Sequence, residues 1–169
     1  MAELILGGGN KTTKRIYLSK EGSEYKDPHV VDIDPQCNPD TLWDLNLLPY
    51  PFDDSSFEEI HAYEILEHLS TQGDWKFFFN QFSELHRLLK PGGRLFITVP
   101  EGTQASAFSD PGHTRAFTLT TFAFLSQDEY RRQVGKTAMS DYRHYWKKDF
   151  VKLYEHVDKE TIHLILQRN

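Results

Sequence analysis

A short apolar run, Leu4 to Leu6, passes directly into Gly7, Gly8 and Gly9. Consecutive glycines continue a strand poorly, so an early strand must end in a tight turn here. Without Cβ atoms in the way, backbone amides of such a turn can approach a ligand closely, although a plain turn explains the glycines equally well. A phosphate loop is disfavoured, because Lys11 lacks the spacing of GxxxxGK[ST]. The dinucleotide pattern GxGxxG also fails, since Asn10, Lys11 and Thr12 follow Gly9.

The second strand candidate, His29 to Ile33, ends at Asp32, Ile33 and Asp34, where Pro35 stops it. A carboxylate at that point of an α/β sheet can accept both hydrogen bonds of a ribose diol, which singles out Asp32. Asp34 suits a turn cap. Asp44, after Trp43, is a third acceptor near the same edge, suited to an adenine amino group or to an ordinary Asp turn.

Positions 11 to 28 are polar and predict an irregular connection. A short third strand is expected within 38–43 and a fourth at 57–62. Leu66, Leu69, Trp75, Phe78, Phe79, Phe82, Leu85, Leu88 and Leu89 then recur at helical intervals, up to Pro91, Gly92 and Gly93. Arg94 to Val99 reads as a strongly apolar strand, followed by a long loop to Phe117. A helix is expected at 120–125. Two last strands are expected at 149–154 and 161–166, with 155–160 as their turn. This order predicts an α/β fold, a Rossmann-like, mostly parallel seven-stranded sheet with a C-terminal antiparallel hairpin and both faces covered. The length of 169 residues suits a single domain over 1–169.

The net charge of −6 offers no general attraction for a nucleic-acid backbone or an anionic membrane. General duplex binding is therefore not expected. The basic clusters at Lys11, Lys14 and Arg15, and from Arg131 to Lys148, read as solvated surface. Cys37 is the only cysteine, no apolar run is long enough to span a membrane, and no secretory signal pattern opens the chain. A cytoplasmic location is the expectation.

Taken together, LILGGGN at 4–10, VVDID at 30–34, DLNLLPYPFDDSSFEEIHAYEILEHL at 44–69 and LHRLLKPGGRLFITVP at 85–100 resemble the seven-stranded class I S-adenosylmethionine-dependent methyltransferases. The resemblance implies that Gly7 and Gly9 approach the methionine and sugar portions of S-adenosylmethionine. It places Asp32 and Ile33 at the ribose, Asp44 with Leu45 at the adenine, and Tyr63 in the wall of the cofactor pocket. Two positions depart from the family pattern: Ile5 stands where an acidic residue is common, and Lys11 where a further glycine is common. They leave a catalytically degenerate binding or structural subunit as the alternative. A dinucleotide-dependent oxidoreductase is a third class, without its full fingerprint here.

If a helix starts near Glu64, then Glu64, Glu67 and His68 share one face through i, i+3 and i+4 spacing and could converge on a divalent metal ion. His113, in the loop DPGHTRAFT, would add a fourth ligand. The set resembles the E-x-x-E-H arrangement, with a later His, of metal-dependent methyltransferases acting on the terminal 2'-hydroxyl of small RNAs. A related E-x-x-E-H site occurs in quinone-biosynthetic O-methyltransferases. LEH is also common in methyltransferases without metal, and His113 would then be the candidate general base. Tyr142, His144, Tyr145 and Trp146 suit either an aromatic patch over a substrate or core packing. The implied reaction is methyl transfer to a hydroxyl or amine of an unidentified small molecule, carbohydrate or RNA terminus. A protein partner could supply substrate recognition. DNA base methylation is less attractive, because no Asn/Asp-Pro-Pro-Tyr/Phe segment follows the fourth strand.

Overall fold

A computed structural model describes residues 2–9 and 13–169. Asn10 and Lys11 of the glycine segment lie outside the described residues. The strands are β1 (Glu3–Leu6), β2 (Pro28–Asp32), β3 (Thr41–Leu42), β4 (Phe57–Tyr63), β5 (Leu89–Pro100), β6 (Phe150–Asp158) and β7 (Thr161–Arg168). They form one seven-stranded sheet in the order β3-β2-β1-β4-β5-β7-β6. Strands β1 to β5 run parallel, and β7 lies antiparallel to both β5 and β6. The strand order reverses between β1 and β4, and the crevice at their carboxyl ends is where sheets of this kind bind ligands.

The helices are α1 (Trp75–Leu88), α2 (Ser106–Ser109), α3 (Leu119–Ala123) and α4 (Gln127–Gln133). Asp74 caps α1 by accepting from the Phe77 N–H at 3.0 Å. The buried face of α1 carries Phe78, Phe79, Phe82, Leu85 and Leu88. It packs on alternate sheet residues that share one face, among them Leu4, Leu6, Ile60, Ala62, Leu95, Ile97, Leu164 and Leu166.

The opposite face is covered too, as expected, but it corrects the expectation of nearly continuous apolar strands. There Glu3, Glu59, His61, Arg94 and Thr98 alternate with Ile5, Tyr63 and Phe96, and the cover comes from Lys14, Ile16 and Tyr25 of the irregular segment between β1 and β2. Lys14 is buried rather than solvated: its Nζ lies 2.7 Å from both Glu3 Oε1 and Glu59 Oε2. Continuous apolar strands are thus not what this sheet has. Charge is tolerated inside because each carboxylate finds a cation at close range.

Three boundaries also differ from the sequence expectation. The final strands reach Asp158 and start again at Thr161, so their turn is Lys159–Glu160 rather than 155–160. Leu66–His68 forms only a 3-10 turn, and the α-helix starts later, at Trp75. Its last residue is Leu88, and the Pro91-Gly92-Gly93 segment sits at the irregular start of β5 pairing.

Candidate functional site

The carboxyl ends of β1 and β2 are tied together. Gly7 donates its N–H to the Val31 carbonyl at 2.8 Å, and Gly9 donates to Asp32 Oδ2 at 2.9 Å. Asp32 Oδ1 accepts from the Asp34 N–H at 3.0 Å. A carboxylate has about four acceptor positions, so Asp32 retains capacity for further donors at the crevice. Gly7 has φ +59°, and a Cβ there would lie 2.4 Å from Ile65 Cδ1, so no other residue fits without strain. Gly9 has φ +51°, and among the described residues nothing lies within 4 Å of its would-be Cβ beside the Asp32 carboxylate.

The neighbouring residues are variously committed. Ile33 is exposed just past Asp32. Asp34 Oδ1 accepts from the Gln36 N–H and caps the short turn Pro35–Cys37. Asp44 Oδ1 accepts from the Asn46 N–H and Nδ2, as an Asp turn does, while Leu45 is buried in the main core. Tyr63 lines a narrow cleft of about 20 Å³ with Gly7, Gly8 and Arg15. Its hydroxyl lies 2.9 Å from His61 Nδ1 and donates to the Ile16 carbonyl at 3.3 Å. Arg15 lies beside this cleft and pairs with Glu64 at 3.3 Å. Both partners are partly exposed, so displacing Arg15 would cost about 1 kcal/mol or less.

Of the four candidate metal ligands, Glu64 stands outside the group whose ligand atoms lie within 4.8 Å of one another. Glu64 precedes the helix, has φ +52° and pairs with Arg15, while its charge still reaches the Glu67 carboxyl. Glu67, His68 and His113 do come together, with one ligand atom from each mutually within 4.8 Å. The rings of His68 and His113 meet edge to face at 4.7 Å, and His68 Nδ1 lies 3.1 Å from the Gly112 carbonyl. The two loops are joined by Thr114 and Arg115, whose N–H groups both donate to the Glu67 carbonyl, at 2.9 and 3.1 Å.

Glu67 is 1 % exposed, and neither carboxylate oxygen has a hydrogen-bond partner. Burial pushes its carboxyl up to about 8, and the charge of Glu64 adds to the effect. Such a group holds its proton at neutral pH unless a cation enters. Its folded pKa lies above the unfolded value of about 4.5, so its contribution to stability is complete below pH 4.5 and is lost as pH rises through 8. Glu67→Gln, which cannot ionise, is expected to remove this loss. Urea unfolding at pH 5 and pH 9 should show the variant more stable than wild type at pH 9 by about 3–5 kcal/mol, and nearly equal at pH 5.

Sequence reasoning missed Arg115. The residue is only 8 % exposed, its Nη1 has no hydrogen-bond partner, and no carboxylate forms an ion pair with it among the described residues. Its guanidinium lies 5.1 Å from the Phe117 ring centre and 5.5 Å from that of Phe78. Cation–π contacts return about 0.5–2 kcal/mol each, while desolvating an unpaired ion costs several. Burial lowers its pKa to about 10, which leaves it charged at neutral pH. The available signal was an arginine two residues after His113, in a long loop at a strand's carboxyl end.

The sheet, in the order 3-2-1-4-5-7-6 with its last strand pair antiparallel, belongs to a fold that solved methyltransferases match over almost the whole chain. The chain has the class I S-adenosylmethionine-dependent methyltransferase fold. It is similar over 99% of its length to a SAM-dependent methyltransferase from Archaeoglobus fulgidus, at TM-score 0.60 and 15% identity, covering 86% of that chain. A second similar structure is Burkholderia thailandensis 1,6-didemethyltoxoflavin-N1-methyltransferase, with bound 1,6-didemethyltoxoflavin and S-adenosylhomocysteine. There the TM-score is 0.56 and the identity 14%, with 99% of this chain and 71% of that one covered. A third comes from the complex of the Haloferax volcanii Trm112 methyltransferase activator with a methyltransferase, at TM-score 0.60 and 13% identity, covering 99% and 81%. No protein-family model and no curated protein matches the sequence. Within this methyltransferase fold, no helix among the described residues is long and apolar enough to cross a membrane.

Proposed function

We propose that the chain is an S-adenosylmethionine-dependent methyltransferase acting on a hydroxyl or amine of a small molecule, carbohydrate or RNA terminus. The observation that carries this reading is Asp32, which grips the glycine loop through Gly9 while keeping acceptor capacity at the end of β2, one strand from the switch point of the sheet. When bound, S-adenosylmethionine supplies a methyl group on a positively charged sulfur. Asp32 would accept from the ribose hydroxyls, and Gly7 and Gly9 would let the sugar and methionine portions approach the backbone. Asp44 and Tyr63 would line the two ends of the cofactor site. His113, whose Nδ1 is buried without a partner, would take the proton of the acceptor group as the methyl bond forms.

Calorimetric titration with S-adenosylhomocysteine tests the proposal. One-to-one binding is expected, and absence of binding to the folded, ligand-free chain would sink it. Competition by NAD at similar concentration would favour an oxidoreductase instead.

A divalent ion is a second reading, favoured by the approach of Glu67, His68 and His113. It would be held by these three, without Glu64, and would polarise an acceptor hydroxyl. Elemental analysis is expected to show an ion that disappears in Glu67→Ala and persists in Glu64→Ala. Protein with no ion, with or without cofactor, would count against it. The Haloferax structure, solved with an activator, supports keeping a protein partner in the proposal.

A further inference from the structure

Between the start of α1 and the loop that carries Arg115 lies a cavity of about 170 Å³. Its wall includes Trp75, Phe78, Phe79, Phe124, Tyr142 and the buried Arg115. We infer that this cavity binds a small aromatic monocarboxylate, its ring among the aromatic side chains and its carboxylate on Arg115. The ligand's role as methyl acceptor rests on the methyltransferase reading above.

Three observations carry the assignment. The cavity size suits one six-membered ring, since an engineered apolar cavity of about 150 Å³ binds benzene. Trp75, Phe79, Phe124 and Tyr142 form a connected aromatic cluster, with Trp75 and Phe79 each 5.2 Å from Tyr142 and Phe124 5.8 Å from it. Flat rings pack well against such walls in offset or edge-to-face arrangements. Arg115 Nη1 is buried without a hydrogen-bond partner, and although the charge of Asp74 reaches the guanidinium, no carboxylate forms an ion pair with it among the described residues, a state that an entering carboxylate relieves through charge-assisted hydrogen bonds.

The nearest acid in the wall, Asp74, does not fill that role. Its carboxylate accepts from the Phe77 N–H and from the Ser70 hydroxyl, both at 3.0 Å. The wall holds one cation, Arg115, and one acid, Asp74, so a single carboxylate fits better than a dianionic phosphate. The cavity is also tied to the candidate catalytic loop. Arg115 and Thr114 donate to the Glu67 carbonyl, Gln72 donates to the Thr114 carbonyl at 2.9 Å, and the Ala116 N–H donates to Gln72 Oε1 at 3.0 Å. His113 therefore sits two residues from the anchor, on the same braced loop.

Calorimetric titration of the full chain with benzoate, and with neutral benzamide of the same shape, tests the inference. Benzoate is expected to bind at least tenfold more tightly than benzamide. Arg115→Met should weaken benzoate at least tenfold and leave benzamide little changed. Ala116→Leu, which retains the arginine and fills part of the cavity, should weaken both and serves if Arg115→Met fails to fold. No benzoate binding to the folded wild type, equal binding of the two probes, or unchanged benzoate affinity in a folded Ala116→Leu or Arg115→Met variant would overturn the site. A parallel titration with S-adenosylhomocysteine separates the two proposals. Benzoate binding without S-adenosylhomocysteine binding upholds the cavity and removes the acceptor role, whereas the reverse result overturns the cavity alone.

Discussion

Asp32→Ala is expected to weaken S-adenosylhomocysteine at least 100-fold, the largest change in cofactor affinity that one substitution in this chain should cause. Hydrogen bonds to a charged acceptor contribute about 1.5–3 kcal/mol each, so losing two ribose donors corresponds to roughly 10²–10⁴-fold. The substitution also releases the Gly9 N–H and the Asp34 N–H, which Asp32 holds at 2.9 and 3.0 Å, and so loosens the loop that the cofactor must meet. Asp32→Asn keeps one acceptor oxygen and should fall between the two. Isothermal calorimetry on folded protein checks the series, and wild-type affinity in Asp32→Ala would remove the ribose assignment.

The largest loss of stability is expected from Lys14→Met. Lys14 Nζ bridges Glu3 and Glu59 at 2.7 Å each on the buried polar face, and removing it leaves two carboxylates inside without their shared cation. Breaking a buried pair in this way costs about 3–5 kcal/mol. At this chain length that corresponds to a fall in Tm of about 6–20 °C, measurable by circular dichroism. Replacing Glu3 and Glu59 by Gln in the same variant should recover much of the loss, because the buried charges go with the cation.

The pH dependence has a definite sign. Burial alone would raise the Glu59 carboxyl, but hydrogen bonds to His61 and Lys14 outweigh it and hold the group at about 2. The folded value lies below the unfolded one of about 4.5, so this stabilisation is present above pH 4.5 and is lost as pH falls through 2. In Lys14→Met the cation is gone, and the difference between variant and wild type should shrink over that acid window. A difference that stays constant from pH 7 to pH 2 would show that Lys14 acts by packing alone.

These two residues mark what was legible in the sequence. Asp32 could be read because its significance is local: a strand ended by a proline, with an acid at the end, following a strand that ends in glycines. The apolar spacing from Trp75 to Leu88 likewise announced a helix, because each residue's face is fixed by its neighbours three and four positions away. Lys14 could not be read so. In a polar stretch with no periodicity it has the composition of a solvated loop, and only its approach to Glu3 and Glu59, 11 and 45 residues away, reveals it as buried.

The candidate site divides along the same line. The spacing of Glu64, Glu67 and His68 predicted one face, but that inference holds only for an α-helix. Positive φ at Glu64 and the 3-10 turn at 66–68 send Glu64 to Arg15 and leave Glu67 facing the histidines. Sequence by itself determined the strand that ends in glycines, the acid-ended strand beside it, the long amphipathic helix and the parallel character of the sheet, all consequences of short-range sterics and periodic burial. Tertiary structure alone decided that one sheet face carries buried charge, that Glu64 pairs with Arg15, and that Arg115 is buried without an ion pair among the described residues. The reason is physical: the charge state and partners of a side chain depend on the solvent it loses and the groups that replace it, and those come from distant parts of the chain.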